Sequence, residues 1–295
     1  VIGTSAVAAL VSAGHDVVGL ARSASKAATL EALGASACET SLFDHAGLVA
    51  MFTGSDVVAN FATHIPVGYA AARPGAWREN DRLRTEGVRR VVAAAREARV
   101  RRLVQESVSF IYADQGEQWI NERSPVDINH ATEPASVGES LVQEFQGGPR
   151  QGVVLRFGTI VGDHRLNRWP LRSAVSSRPL GVGRPDSWAH VVHMDDIGGA
   201  VVAALTVPSG VYNVGAEPVR RRDLVQGYAD AVGQGSAAFM GPLLRRLAGS
   251  RVEPLTRSLR VCSELFTAQT GWAPRHATVD ASWFEAVASS SEALR

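Results

Sequence analysis

Gly14-His15-Asp16-Val17-Val18-Gly19-Leu20-Ala21-Arg22-Ser23 is the stretch whose reading decides the architecture. It follows residues 2–13, where Val7, Leu10 and Val11 share one helical face, so Gly14 reads as a helix stop and residues 16–21 as a buried strand. The alternation repeats outward: helix at 25–33, strand at 35–39, helix at 46–52, strand at 56–62, a long helix at 78–99 and a strand at 102–105. Strands separated by helices need right-handed crossovers, which leave a parallel sheet covered on both faces. Beyond it come a polar surface loop at 114–134, a helix at 136–146 and a strand at 152–157. Residues 163–190 show no clear period; a helix at 197–205, a strand at 210–214 and helices with arginine-rich faces complete the chain.

The chain opens on a helix with no strand before it. In a doubly wound sheet the first strand lies in the middle, so its absence predicts a central gap or a displaced neighbour. Either residues preceding Val1 are missing from this sequence, which is the favoured reading, or the nucleotide domain is truncated.

Bulk properties exclude several classes. The 295 residues are 45% hydrophobic and 20% charged, which suits a well-cored globular protein. A net charge of +1 makes no case for nucleic acid or an acidic membrane surface. Cys38 and Cys262 form neither a disulfide framework nor a zinc pattern and fit a reducing cytoplasm, the expected compartment. No apolar run reaches the roughly 18 residues of a membrane span. Arginine carries nearly all the positive charge, and Lys26 is the only lysine.

Val1-Ile2-Gly3, the helix after it and the stretch 14–23 together resemble the opening of an extended short-chain dehydrogenase/reductase, the family that includes the NAD-dependent epimerases and dehydratases. The resemblance continues in order through Leu42-Phe43-Asp44, Asn60-Phe61-Ala62, Asn80, Leu155-Arg156-Phe157-Gly158, Val192-His193-Met194-Asp195-Asp196 and Thr270-Gly271-Trp272-Ala273-Pro274. It implies a Rossmann-type doubly wound α/β fold with a smaller C-terminal substrate lobe. Residues 1–160 would bind NADP, completed by about 190–215, and residues 161–189 and 216–295 would form the lobe. Gly3 fits the third glycine of the family's Gly-x-x-Gly-x-x-Gly phosphate loop, Asp44 the residue on the adenine amino group, and Asn60 and Ala62 the cofactor-lining run. The second strand ends in Arg22-Ser23 instead of an acidic residue, with Lys26 nearby; this favours a 2′-phosphate, hence NADP over NAD. A truly truncated nucleotide domain would leave no cofactor.

The family's chemistry is where the resemblance fails. It uses a Tyr-x-x-x-Lys pair with a Ser or Thr, the tyrosine working as general acid/base at a pKa lowered by the lysine. Here the pair falls on Ser136 and Ser140 or on Ala135 and Glu139. None of Tyr69, Tyr112, Tyr212 and Tyr228 has a lysine four residues on. The family's hydroxyl falls on Val108, between Ser107 and Ser109. His64 and Tyr112 are the substitute acid/base candidates, with Ser107, Ser109 and Glu106 beside them. In an extended segment His190 and His193 point to opposite faces with no obvious third ligand, so no metal is expected; Asp195 or Asp196 caps a helix. Arg156, Trp169, Arg184, Trp188 and Arg257 are candidates to grip a planar or anionic substrate.

Three readings stay open: an NADP-dependent reductase, epimerase or dehydratase-like enzyme with a non-standard acid/base group, a non-catalytic NADP sensor or scaffold, and a non-redox cyclase or isomerase in the same pocket. All take a small molecule, with no nucleic acid or membrane partner, as monomer or homodimer.

Overall fold

The structure, a computed structural model, describes residues 1–164, 167–176, 178–241 and 250–284. The first half contains α1 (Ile2–Ser12), β1 (Val18–Ala21), α2 (Ala24–Ala32), β2 (Ser36–Glu39), α3 (His45–Phe52), β3 (Val57–Asn60), α4 (Arg78–Arg82), α5 (Val88–Glu97), β4 (Arg102–Val108), β5 (Trp119–Ile120) and α6 (Glu133–Phe145). The second half contains β6 (Gln151–Phe157), β7 (Thr159–Val161), α7 (Arg168–Val175), β8 (Trp188–Ala189), β9 (Val191–His193), α8 (Met194–Ala203) and β10 (Gly210–Val214). Then follow β11 (Val219–Arg220), α9 (Arg221–Asp230), β12 (Arg260–Val261) and α10 (Glu264–Thr270).

Four parallel strands in the order β10-β6-β4-β3 form the central sheet. The parallel pair β1-β2 is a separate sheet, with no strand pairing to β3 among the described residues. Successive residues of a strand face opposite sides, and both sides of this sheet are apolar. Val104, Val153, Leu155 and Phe157 pack with Ile197 and Val201 of α8 on one side, while Leu103 and Val154 pack with Val91, Val92 and Phe145 on the other. That burial on both faces explains why these strands read as continuous apolar runs. A third cluster, with Leu171 of α7, Leu224 and Tyr228 of α9, Trp283 and Phe284, lies outside the sheet layers.

Two elements depart from the sequence reading. The expected single helix over 78–99 is interrupted by a π-helical turn, Leu83–Gly87. Its extra residue turns Arg84 inward against Glu106, an interaction no local period reveals. Residues 163–190, which show no clear period, contain the short helix α7 and strand β8.

Helix α1 reaches α8 closely because Gly198 has no side chain: a Cβ there would stand 2.7 Å from both the Ala9 Cβ and the Ser5 carbonyl oxygen. Gly199 is exposed, and its Cβ would meet nothing closer than 3.4 Å. Gly198→Val is therefore expected to cost about 2–3 kcal/mol by overpacking, and Gly199→Ala to gain up to about 1 kcal/mol of helix propensity. Urea unfolding of the two variants checks the contrast; equal effects would remove the close α1–α8 contact from the account.

Candidate active site

Ligands of open parallel sheets bind beyond the carboxyl ends of the strands, and the buried polar residues collect there. Asn60 ends β3, donating to Gln105 Oε1 on β4 (2.8 Å) and accepting from the Ala62 amide (3.3 Å). The chain then crosses to α4, where buried Asn80 accepts from the His64 amide (3.2 Å). The two asparagines thus shape the segment 61–64, and the His64 side chain is left exposed.

At the ends of β4 and β6 lies a buried charged network. Arg84 donates to Glu106 Oε1 (2.8 Å), and both side chains are under 10% exposed. Arg156 of β6 grips Glu139 of α6 with two parallel bonds, Nε to Oε1 (2.9 Å) and Nη2 to Oε2 (2.6 Å), and Ser107 donates to the same carboxylate (2.5 Å). Burial pushes the Arg156 guanidinium down, and the paired Glu139 more than reverses it, so its pKa stands above the ordinary value. The guanidinium also sits 4.7 Å from the Tyr112 ring centre. Tyr112 is fully buried, donates to Asn213 Oδ1 on β10 (2.8 Å), and is pushed up by that burial.

This placement sorts the expected catalytic residues. Tyr112 has its hydroxyl engaged behind the site, Ser107 is bound to Glu139, and Ser109 is fully buried with an unpartnered hydroxyl. Val108 is the residue at the end of β4 that keeps partial exposure, and Ala135 and Glu139 are both buried in α6. Of the two alignments of the missing pair, Glu139 is the position that faces the sheet, while Ser140 is exposed. Of the side chains expected to act as acid or base, His64 alone reaches solvent freely.

The expected substrate residues have internal partners. Arg156 is committed to Glu139, and Arg257 is 2% exposed, donating to the carbonyls of Phe110, Tyr112 and Asp127 and to the carboxylates of Asp127 and Glu253. Both tie strands and loops together, and Arg156 keeps only its Nη1 without a partner. Trp188 stacks between Arg220 (3.9 Å) and Arg260 (4.7 Å) and donates to Glu117, while Trp169 packs against Gly68. Arg184 offers its carbonyl oxygen to Ser187.

The cofactor positions lie along the other strand ends. Gly3 sits in the first turn of α1, which has no side-chain cap, and a Cβ there would meet nothing within 4 Å. Open space before uncapped helical amides fits a pyrophosphate. Arg22, Ser23 and Lys26 are all exposed at the start of α2, where the Ser23 hydroxyl makes no cap bond, and neither cation has an ion-pair partner among the described residues. A 2′-phosphate fits that set. Asp44 caps α3 by accepting from the Gly47 amide (3.1 Å). These residues would hold the nucleotide, and a nicotinamide bound there would supply a hydride.

His276 joins His193 and Asp195, a neighbour the sequence reading missed because 80 residues separate it from its anchor, Asp196. Asp196 is buried and binds the Arg275 and His276 amides (3.0 Å each) and the His276 ring (3.1 Å). The His193 and His276 rings stack at 3.9 Å with a 32° tilt, and together with Asp195 they offer ligand atoms within 4.8 Å of one another. The cluster ties the 275–276 segment to the start of α8, where His193 caps the Asp195 amide (3.4 Å).

Residues 1–144 match the NAD(P)H-binding family model. The chain as a whole shares the fold of solved NAD-dependent epimerases and dehydratases. It superposes on UDP-glucuronic acid 4-epimerase from Bacillus cereus, solved with UDP-glucuronic acid and NAD, at a TM-score of 0.77, 17% identity and coverage of 100% and 96% of the two chains. It superposes on dTDP-glucose 4,6-dehydratase from Streptomyces venezuelae, solved with NAD, at 0.77, 16% identity and coverage of 99% and 94%. Over 293 residues it is 28% identical to a 3-diazoavenalumate denitrifying reductase of a Streptomyces species, covering 94% of this chain and 93% of the relative. No helix among the described residues is long and apolar enough to cross a membrane.

Two outcomes test the buried polar groups. Glu139→Ala leaves Arg156 as an uncompensated buried charge and is expected to cost about 3–5 kcal/mol, while Glu139→Ala with Arg156→Met recovers most of that; chemical unfolding compares them, and an equal loss in both would refute pairing as the cause. His190, 2% exposed with neither ring nitrogen bonded, is pushed down to about 3 by burial. Its folded pKa lies below its unfolded one, so the unfolded state takes up the proton first and stability falls as pH drops from about 6.5 toward about 3, at about 1.4 kcal/mol per pH unit. His190→Asn should flatten that slope; an unchanged slope would assign the acid sensitivity elsewhere.

Proposed function

We propose that this protein is an NADPH-dependent reductase that delivers hydride to a small electrophile needing no proton from the enzyme, with aryl diazo compounds as the substrate class. The observation that carries the reading is the replacement of the family's proton-transfer machinery: Val108 and Ala135 offer no acidic proton, and the Glu139 carboxylate is taken up by Arg156 and Ser107. Carbonyl reduction and epimerisation both require a proton to move at oxygen together with the hydride. An arenediazonium does not. Hydride adds to its terminal nitrogen to form Ar–N=N–H; the aryl carbon–nitrogen bond then breaks, the hydrogen passes to the ring carbon, and N2 leaves with its electrons balanced. The nucleotide ends oxidised and the arene reduced. The denitrifying reductase relative acts, by its name, on a diazo compound, and its similarity runs through almost the whole of both chains.

In this reading the chain's own residues bind and orient. Gly3, Arg22, Ser23, Lys26, Asp44, Asn60 and Ala62 hold the nucleotide, and the ion-paired network keeps the end of the sheet rigid and free of acidic protons. Residues 1–160 with about 190–215 are the nucleotide domain, and 161–189 with 216–295 the substrate lobe.

Incubating the protein with an arenediazonium and NADPH carrying deuterium at the transferable position is expected to release N2 and oxidise NADPH in a 1:1 ratio, with deuterium on the ring. Tyr112→Phe and His64→Gln should each keep kcat within about threefold, whereas Arg22→Ala with Lys26→Ala should raise the Kd for NADPH at least tenfold and leave NADH unchanged. Turnover of carbonyls or UDP-sugars with none of the diazonium would overturn the reading, as would abolition of activity by His64→Gln. NADPH binding without any turnover would favour a sensor.

A further inference from the structure

We propose that a pocket beside the sheet's carboxyl edge is a carboxylate-binding subsite, and that the substrate is a flat aromatic acid held with its carboxylate between Arg73 and Arg78 and its ring along Trp77. The proposal rests on the reductase reading and deepens it by naming what else the substrate carries. The pocket, about 410 Å³, lies between the turn at 71–78, Asp81 of α4 and Arg251. It belongs to the segment that leaves the carboxyl end of β3 at Asn60, and its Asp81 follows Asn80, which accepts from the His64 amide.

Its charges are unevenly satisfied. Arg251 is bidentate to Asp81 (2.6 and 3.2 Å), which neutralises both. Arg73 and Arg78 are exposed and have no carboxylate partner among the described residues. Gly75 turns the chain at φ 75°, and a Cβ there would stand 3.1 Å from Arg78 Nη2, so the turn lets that guanidinium lie across it. Two unpaired planar forks at one pocket match one carboxylate, which accepts bidentate bonds. Trp77 is half-buried, and its indole N–H already donates to the Ala71 carbonyl (3.0 Å). The Arg251 guanidinium stands 5.5 Å from the ring centre, and the indole has no free donor, which suits an aromatic ring better than the hydroxyls of a sugar or the polar edge of a uracil.

The test uses 4-coumarate, a flat aromatic acid with no diazo group, titrated calorimetrically into the protein saturated with NADP+. Binding is expected, with its methyl ester at least tenfold weaker. Arg73→Gln and Arg78→Gln should each weaken 4-coumarate binding at least tenfold while leaving NADP+ affinity and melting temperature unchanged, since both side chains are exposed. Trp77→Phe, which keeps a ring face, should bind within threefold of the parent. Equal binding of acid and ester, or parental binding by the double arginine variant, would overturn the subsite. UDP binding that displaces 4-coumarate and is lost in the arginine variants would overturn it in favour of a diphosphate site. Arginine variants that lose neither acid binding nor N2 release would refute the pocket while sparing the reductase reading. Acid binding without N2 release from any diazonium would refute the reductase reading and leave the pocket standing.

Discussion

The bidentate pair of Glu139 and Arg156 is the interaction on which the working end of this fold depends. It joins helix α6 to strand β6, takes in Ser107 of β4, and lies against the Tyr112 ring, whose hydroxyl reaches Asn213 of β10. Three neighbouring strands and their covering helix are therefore tied through one carboxylate at the place where the cofactor's reactive end belongs. Such a pair contributes little net stability compared with apolar packing, because both ions lose their hydration. What it contributes is definition: neither partner can turn away without leaving a buried charge alone.

That constraint also restricts the chemistry. A lysine at this point would lower the pKa of a neighbouring phenol, whereas a glutamate would raise it, and here no phenol stands one turn earlier because residue 135 is alanine. The reversal of charge is compensated internally by Arg156, so the site has lost both the acid and the cation that tunes it. A pocket of this composition can still bind a nicotinamide and still transfer hydride. In the proposed reading it is unsuited to an acceptor whose reduction leaves an alkoxide, and suited to one that carries positive charge itself and expels a neutral gas.

Much of the scaffold is legible in the sequence because it follows from local period. The strand at Gly210–Val214 and the helix ending at Gly14 are bounded by their own turn residues, and the apolar runs of β4 and β6 announce a sheet covered on both faces. The site is less legible because its contacts are remote. Arg84 lies 22 residues from Glu106 and points at it only through a π-helical turn, Arg257 lies 145 residues from the Tyr112 carbonyl it holds, and His276 reaches its partner across 80 residues. An arginine of unknown surroundings reads as a ligand-binding group, and the sequence alone does not show that its five donors are already engaged. The absence of Tyr-x-x-x-Lys, by contrast, is fully legible, since it needs only the position of one lysine.

The scarcity of lysine gives the arginines a common logic. A lysine ammonium can be tuned toward neutrality by burial and then serve as a base or a pKa modulator, while a guanidinium keeps its charge and instead offers several donors in a fixed plane. In this chain that plane is used repeatedly as a carbonyl clasp. Arg257 gathers three carbonyls, Arg102 holds those of Ala204 and Val207, and Arg221 holds that of Arg257. Burial lowers Arg221 to about 10 and Arg102 in the same direction, yet both remain charged at neutral pH and keep their bonds. Arginines so engaged are cross-links between segments distant in sequence. Arg73 and Arg78 differ in having neither carbonyls nor carboxylates to hold among the described residues, and in lining a pocket. Against the buried arginines that act as cross-links, these two line a pocket with their guanidinium groups unengaged, and in the proposed reading theirs is the charge given to a substrate.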